Sequence, residues 1–221
     1  MVDVDAVRRF YGRWARYYDV LADTALVGSW RRRVVDGLDL ETGDLVVEMG
    51  CGTGANLPLL RERVGPSGTV IGVDLTRGML RKAHRRVERG GWSNVHLVAG
   101  DATHPPTTAD IDAILGTFVV GLFDDPAAVV DEWVDLLAPG GRLGVLEAGP
   151  SDRPIARPMN VAFRAFTRFS APSGRRAIES PARSLHRRIQ DVRDRLDTRT
   201  TDTSHDEFGL GFLFCSVGRR P

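Results

Sequence analysis

The sequence predicts a doubly wound α/β fold built on a seven-stranded, mostly parallel sheet. Residues 45–60 have the pattern of a strand, a glycine-rich turn and the start of a helix, which opens many nucleotide-binding α/β folds. Short apolar runs then alternate with amphipathic segments as far as residue 147, as expected for parallel strands joined by crossover helices. Residues 197–204 and 211–217 have the pattern of two further strands, which would complete the sheet.

The glycine-rich turn is the stretch around which the rest of the chain is organised. Residues 45–47 are apolar enough for a strand buried on both faces, and Glu48 ends this run with an acid. The turn itself has the sequence GCGTG, with glycines at positions 50, 52 and 54. Because glycine has no Cβ, it permits a tight turn and lets a ligand lie against the main chain. The pattern therefore predicts a ligand site at the end of the first strand.

Two kinds of ligand fit this turn. Gly50-x-Gly52-x-x-Ala55 matches the dinucleotide fingerprint, but Glu48 is poorly placed for a pyrophosphate, which prefers N–H donors and positive dipoles. An acid there suits a cationic ligand. The pattern E-x-G-x-G-x-G resembles the first motif of the class I S-adenosylmethionine-dependent methyltransferases, and that resemblance implies S-adenosylmethionine as the cofactor. An oxidoreductase that uses NAD(P) remains the alternative.

Acids after the second and third strands extend the predicted cofactor site. Asp74 follows Gly54 by 20 residues at the end of a strand predicted at 69–73, where an acid can accept hydrogen bonds from both ribose hydroxyls. Both ligand interpretations predict this acid. The trio Gly100-Asp101-Ala102 after the strand at 95–99 also has the pattern of an ordinary aspartate turn. Its resemblance to the methyltransferase element implies that Asp101 accepts a hydrogen bond from the adenine amino group.

The fourth strand, predicted at 111–115, should lead into the acceptor side of the site. Ligands of open α/β sheets bind outside the carboxyl ends of the strands, so residues 116–120 should border the transferred methyl group. Family members often carry a polar residue or histidine where this chain has the apolar residues 120–122, which argues against a built-in base and favours an apolar acceptor. Residues 137–143 resemble the L-x-P-G-G turn that precedes strand five. The predicted cofactor residues are Glu48, Gly50, Cys51, Gly52, Gly54, Asn56, Asp74, Leu75, Thr76, Met79, Asp101, Ala102, Gly116 and Thr117.

The N-terminal residues 1–40 are predicted to form a helical lid before the core at 41–149. Residues 4–18 have an unusually aromatic helical stripe, which suits either a helix packed on the core or a lid over the donor or acceptor. Tyr17-Tyr18-Asp19 resembles the A-x-x-Y-D element of the methyltransferases of ubiquinone and menaquinone biosynthesis. Tyr11, Tyr18 and Asp19 are weak candidates for catalysis, and no residue stands out as a general base.

The last third of the chain is basic. Residues 151–221 hold 14 Lys+Arg against 8 Asp+Glu, whereas residues 1–150 hold 16 against 21. An insertion at 150–180 contains a basic amphipathic helix at 155–169, which would either cover the substrate pocket or contact a membrane surface. The total charge of +1 is too low to predict nucleic-acid binding. A helix beginning near Pro181 and the strand pair complete residues 181–221.

Composition sets the remaining limits. With 42% hydrophobic and 27% charged residues, the chain suits one globular domain over residues 1–221. No apolar run is long enough for a membrane span, and the N-terminus lacks a signal core, so we expect a cytoplasmic protein, with peripheral membrane contact through 155–169 as the alternative. The two cysteines and five histidines show no metal-ligand spacing. The predicted function is methyl transfer to a small, apolar acceptor, such as a quinone precursor or a lipid-like molecule. A non-catalytic S-adenosylmethionine-binding protein is the other alternative.

Overall fold

A computed structural model describes residues 25–106, 110–161, 163 and 181–221. Its helices are α1 (Ala25–Gly37), α2 (Leu57–Val64), α3 (Arg77–Gly90), α4 (Pro126–Leu136) and α5 (Pro181–Arg199). Its strands are β1 (Leu45–Met49), β2 (Thr69–Asp74), β3 (Val95–Ala99), β4 (Ile111–Thr117), β5 (Leu137–Ala148), β6 (Thr201–Phe208) and β7 (Leu213–Arg219). Short 3-10 turns lie at Val120–Leu122 and Pro154–Ala156.

Seven strands form one sheet in the order β3-β2-β1-β4-β5-β7-β6. The five strands β1 to β5 run parallel, and β7 is antiparallel to both of its neighbours. The chain order reverses at β1, which lies between β2 and β4 and therefore forms the switch point of the sheet. This topology confirms the predicted doubly wound fold with a seven-stranded, mostly parallel sheet.

Helices cover both faces of the sheet, because neighbouring residues of each central strand point to opposite sides. Val46 belongs to the cluster that packs under α1, α2 and α3, whereas Val47 belongs to the cluster under α4 and α5. Both side chains are fully buried. The carboxyl ends of β1, β2 and β4 are left open between these layers.

Both C-terminal strands lie later in the chain than predicted. The seventh was expected at 211–217, and β7 spans Leu213–Arg219. The sixth strand was placed at 197–204, but α5 continues to Arg199 and β6 begins at Thr201. Arg199 donates hydrogen bonds to Asp131 and Asp135 on α4, and the Thr198 hydroxyl donates to backbone carbonyls within α5. These contacts hold in a helix residues whose β-branched threonines favour a strand.

The fifth strand is longer than predicted. It was expected at 143–147, yet the pairing with β4 already begins where Leu137 lies opposite Ile111. The turn at residues 139–141 is therefore part of β5. The backbone N–H of Gly140 donates to the Arg220 carbonyl at 3.0 Å. The pairing is irregular here, with a register shift between Ile111 and Ala113.

The ends of the chain are described only in part. Residues 1–24, with the candidates Tyr11, Tyr18 and Asp19 and the predicted helix at 4–18, lie outside the described residues. Of the predicted lid, α1 is described, and it packs against β5 and β7. Seven of the fifteen residues of the predicted amphipathic helix at 155–169 also lie outside the described residues, and residues 157–161 are helical. In the described ranges, none of the helices is long and apolar enough to cross a membrane.

Candidate active site

A cavity of about 560 Å³ opens at the carboxyl ends of β1, β2 and β4, where the switch point of the sheet leaves space. Twelve of the fourteen predicted cofactor residues line it. They are Glu48, Gly50, Cys51, Gly52, Asn56, Asp74, Leu75, Thr76, Met79, Asp101, Ala102 and Thr117. The sheet topology thus brings together residues that are up to 69 positions apart in the sequence, from Glu48 to Thr117.

Gly54 and Gly116 do not line the cavity but pack immediately behind it. Gly54 has a φ of +76°, and an added Cβ would lie 2.6 Å from the Leu57 side chain. An added Cβ on Gly116 would lie 2.7 Å from the Trp133 ring. Both glycines let a helix approach the strand ends that form the cavity floor.

Glu48 lies at the buried end of the cavity and is the penultimate residue of β1. Its Oε1 accepts a 2.6 Å hydrogen bond from the side-chain amide of Asn56, which also donates to the Thr117 hydroxyl at 2.9 Å. Burial raises the pKa of Glu48 to about 7. The Asn56 hydrogen bond and the Arg31 charge lower this pKa, but by less than burial raises it. Glu48 is therefore poised to change charge near neutral pH.

Two acceptor atoms beside Glu48 are buried without a partner in the described part of the chain. They are Oε2 of Glu48 and Oδ1 of Asn56. An unsatisfied buried acceptor costs about 1–3 kcal/mol, so such atoms call for a donor. Two acceptors, one of them a carboxylate, fit the ammonium group of an amino-acid moiety, and S-adenosylmethionine carries one. The residues present therefore fit this cofactor at the site.

Asp74 joins the glycine turn to the start of α3. Its Oδ2 accepts from the backbone N–H of Gly52 at 2.8 Å, and its Oδ1 accepts from the backbone N–H of Thr76 at 2.7 Å. Burial raises its pKa, while these two hydrogen bonds and one from the Thr76 side chain oppose the shift. Because a carboxylate has about four lone-pair sites, the side chain can still accept a ligand hydroxyl.

The turn after β3 is fixed at both of its ends. Oδ1 of Asp101 accepts from the backbone N–H of Thr103 at 2.9 Å and from its hydroxyl at 2.8 Å, the geometry of an aspartate turn. The indole N–H of Trp133 donates to the Ala102 carbonyl at 2.8 Å. Asp101 is thus held at the cavity edge on an exposed turn.

The opposite wall of the cavity is apolar. Phe118, Val119, Leu122 and Phe123 line it where β4 turns towards α4. Phe118 has a φ of +55°, a left-handed conformation that is costly for a bulky side chain.

Sequence reasoning missed a further group of cavity residues. These are Arg31, Thr53, Ala55, Thr103, His104, Asp124, Asp125, Ala128, Val129 and Glu132. Most of them come from the turn after β3 and the first turns of α4, which the parallel topology brings over the carboxyl edge. Arg31 comes from α1 and is only 6% exposed. The local sequence around Arg31 gives no signal that its side chain would reach the cavity.

Other reactive side chains offer little chemistry. Burial raises the pKa of the Cys51 thiol well above its ordinary value, so the group is a neutral thiol and not a nucleophile. Both cysteines are buried and unpaired. Within the described residues, no group of three or more His, Cys, Asp or Glu side chains could hold a metal ion.

The fold and the cavity define a class: an α/β protein with a ligand cavity at the switch point of its sheet, whose buried end suits a cationic group. Comparisons with known proteins narrow this class. A family model described as a methyltransferase domain matches residues 46–141. A phosphatidylethanolamine N-methyltransferase from Cereibacter sphaeroides is 30% identical over 177 residues, with 78% of this chain and 81% of the relative covered. The chain therefore belongs to the methyltransferase family, whose class I members use S-adenosylmethionine, and this decides against the oxidoreductase alternative.

A further relative and a solved structure are also methyltransferases. A demethylmenaquinone methyltransferase from Lactobacillus johnsonii is 31% identical over 156 residues, which cover 68% of this chain and 64% of the relative. The matched part spans only 44–64% of the length of three curated relatives. A crystal structure of a methyltransferase from Aquifex aeolicus shares the fold with a TM-score of 0.65 at 19% identity, over 86% of this chain and 89% of that one.

Proposed function

We propose that this chain transfers a methyl group from S-adenosylmethionine to a small, apolar acceptor, such as a quinone precursor or a lipid-like molecule. The observation that supports this most is that a single cavity has a polar end and an apolar end. One end presents the buried acceptors of Glu48 and Asn56, and the other end is a wall of aromatic and aliphatic side chains beginning at Phe118. A donor and an acceptor of these two chemistries would meet near Thr117.

The polar end suits the donor. Glu48 and Asn56 would hold its ammonium group, and the guanidinium of Arg31, which lines the same cavity, would hold its carboxylate. Asp74 would accept from the ribose hydroxyls, and Asp101 from the adenine amino group. When bound, S-adenosylmethionine supplies a methyl group activated by its positively charged sulfur.

The apolar end suits the acceptor. Phe118, Val119, Leu122 and Phe123 would exclude water and align the acceptor with the methyl group, and such alignment can account for much of a rate enhancement. His104 also lines the cavity, but its Nδ1 lies 3.0 Å from the Thr103 hydroxyl, within the turn that holds Asp101. A base is not required when the acceptor is already nucleophilic. Tyr11, Tyr18 and Asp19 remain the candidates for catalysis.

The names of the relatives support this acceptor class. The relatives from Lactobacillus johnsonii and Cereibacter sphaeroides are a demethylmenaquinone and a phosphatidylethanolamine methyltransferase, so the substrates in their names are a quinone and a lipid. A nocamycin O-methyltransferase from Saccharothrix syringae is 35% identical over 127 residues, 57% of this chain and 45% of the relative.

An acceptor panel tests the proposal. Purified protein is incubated with S-adenosylmethionine and with quinols, phospholipids or hydrophilic amines, and S-adenosylhomocysteine is quantified. Turnover with an apolar member supports the proposal, whereas turnover only with hydrophilic acceptors contradicts it. Donor binding without turnover on any acceptor would favour the non-catalytic alternative.

Two leucine-to-alanine variants localise the acceptor. Leu122 lines the apolar wall, and Leu210 lies on the tip of the β6–β7 hairpin, outside the cavity, with a similar exposure of 47% against 39%. Leu122→Ala should raise KM for the acceptor and leave S-adenosylhomocysteine affinity unchanged, because it removes only apolar contact. Leu210→Ala, the matched control, should change neither quantity.

A peripheral membrane contact through residues 155–169 is a second proposal, and the described part of this segment supports it. Ile155 and Val161 are 74% and 68% exposed, and the charged Arg157 is exposed between them. Exposed apolar side chains next to a cation suit an anionic lipid surface. Co-sedimentation with phosphatidylglycerol vesicles but not with phosphatidylcholine vesicles would support the contact, and its absence with both would contradict it.

A further inference from the structure

A buried carboxylate lies directly behind the apolar wall without entering the cavity. Glu147, on β5, is 5% exposed. Its Oε1 accepts hydrogen bonds from the backbone N–H of Val120 at 2.8 Å and of Gly121 at 3.4 Å. Apart from these N–H groups and the Ser216 side chain, its surroundings are mainly apolar and include Val145, Ile189, Val192 and Phe214. A carboxylate in such surroundings is costly, and its burial raises the pKa of Glu147 to about 7.

The same 3-10 turn is held from its other side by α5. Arg188 donates from Nη1 to the Gly121 carbonyl at 2.7 Å, and its guanidinium also lies 3.8 Å from the Asp124 carboxylate. Glu147 therefore binds the N–H groups of the turn and Arg188 binds its carbonyl. Side chains from β5 and α5 thus hydrogen-bond both the N–H groups and a carbonyl of this three-residue turn.

This turn follows the strained residue of the cavity wall. Phe118 has a φ of +55°, and its backbone N–H donates to the Leu146 carbonyl at 2.7 Å. A strained backbone of this kind persists only where its surroundings over-determine it. Leu146 is the neighbour of Glu147 on β5, so one strand fixes the backbone at Phe118 and, two and three residues later, at Val120 and Gly121.

We propose that Glu147 and Arg188 are positioning residues that hold the wall Phe118–Phe123 in the shape that selects the acceptor. The inference rests on the proposed function for the identity of that wall as the acceptor side. Neither residue lines the cavity, so neither is expected to contact the donor or the acceptor. Their effect reaches the acceptor through the backbone of the turn.

Three variants separate this role from general stability. Glu147→Leu removes the acceptor for two buried N–H groups, whereas Glu147→Gln keeps an oxygen that can accept from both. Arg188→Met keeps the apolar stem and loses the donor to Gly121. Val192→Ala is the matched control, because Val192 packs beside Glu147 and is equally buried but makes no polar contact with the turn.

The first measurement is hydrogen exchange of peptides that cover residues 116–124, on the full chain with S-adenosylhomocysteine bound. We expect exchange in this segment to rise about tenfold or more in Glu147→Leu and Arg188→Met, since freed amides open more often. Glu147→Gln should stay within about threefold of wild type. Equal exchange in Glu147→Leu and Val192→Ala would overturn the proposal, because the turn would then respond only to stability.

The second measurement is affinity for a probe, 1,4-naphthoquinone, titrated into the protein with S-adenosylhomocysteine bound. Glu147→Leu and Arg188→Met should weaken probe binding at least fivefold and leave S-adenosylhomocysteine affinity within twofold, and Glu147→Gln should restore probe binding. A parallel loss of both affinities would overturn the positioning role. If wild type does not bind the probe, a quinone is excluded as the acceptor, and the exchange result still decides whether Glu147 and Arg188 hold the turn.

Discussion

The affinity for the methyl donor should depend on pH through Glu48. In the free protein, burial raises the pKa of this carboxyl group to about 7, so much of it is protonated below neutral pH. A bound ammonium group beside Glu48 favours the charged form. Binding below pH 7 should therefore release a proton, and the affinity should rise as the pH rises.

The size of the effect follows from the pKa. We take a pKa of about 7 in the free protein and full ionisation in the complex. In the free protein, roughly a tenth of Glu48 is then ionised at pH 6.0 and about three quarters at pH 7.5. The dissociation constant should then be about eightfold higher at pH 6.0, a difference of about 1.3 kcal/mol in binding free energy.

Calorimetric titration with S-adenosylhomocysteine measures the dissociation constant and the number of protons released. This ligand keeps the ammonium group of the donor and does not react. A comparison of two buffers with different ionisation enthalpies gives the number of protons released. At pH 6.0 we expect close to one proton per binding event. Glu48→Gln should bind more weakly at pH 7.5 and lose both the pH dependence and the proton release. Equal affinity at both pH values in wild type, or an unchanged pH dependence in Glu48→Gln, would refute the assignment.

The remaining predictions concern stability. Gly50→Ala should cost about 2 kcal/mol or more of unfolding free energy, because the residue has a φ of +70° and the added Cβ would lie 2.6 Å from Val119. Chemical denaturation measures this cost, and an unchanged midpoint would contradict it. Trp133→Phe should lose about 1–3 kcal/mol, since the Ala102 carbonyl loses its 2.8 Å donor and a fully buried ring shrinks. The same denaturation experiment tests it, and a loss below about 0.5 kcal/mol would show that neither contact matters. Between pH 5 and 7, wild-type stability should fall as the pH rises, because the raised pKa of Glu147 makes the folded state hold a proton that the unfolded state has released. Glu147→Gln should show a smaller fall, and an equal fall in both proteins would contradict this.

Much of the fold was readable from the sequence because its signals are local. The apolar runs placed β1 to β4 to within two residues, and the turn residues marked most of the connections. The C-terminal strands were harder. The threonines near position 200 favour a strand, but ion pairs between Arg199 and α4 extend the helix, and such tertiary contacts leave no mark in the local pattern.

The cavity was predictable where its residues follow strands. Four cavity residues lie at or just after the carboxyl end of a parallel strand, so topology alone places them at one edge of the sheet. They are Glu48, Asp74, Asp101 and Thr117. Arg31 comes from a helix whose orientation is set by packing on β5 and β7. Glu147 was seen only as the end of a strand, since its partners are backbone N–H groups 26 and 27 residues away.

The most direct test of the donor site is a calorimetric titration of wild type, Asp74→Ala and Asp152→Ala with S-adenosylmethionine and with NADH. Asp74 lines the cavity, whereas Asp152 is exposed and lies outside it. Micromolar binding of S-adenosylmethionine to wild type and Asp152→Ala, with a large loss in Asp74→Ala and no binding of NADH, is the expected result. Binding of NADH in place of S-adenosylmethionine, or full donor affinity in Asp74→Ala, would contradict the assignment of this cavity.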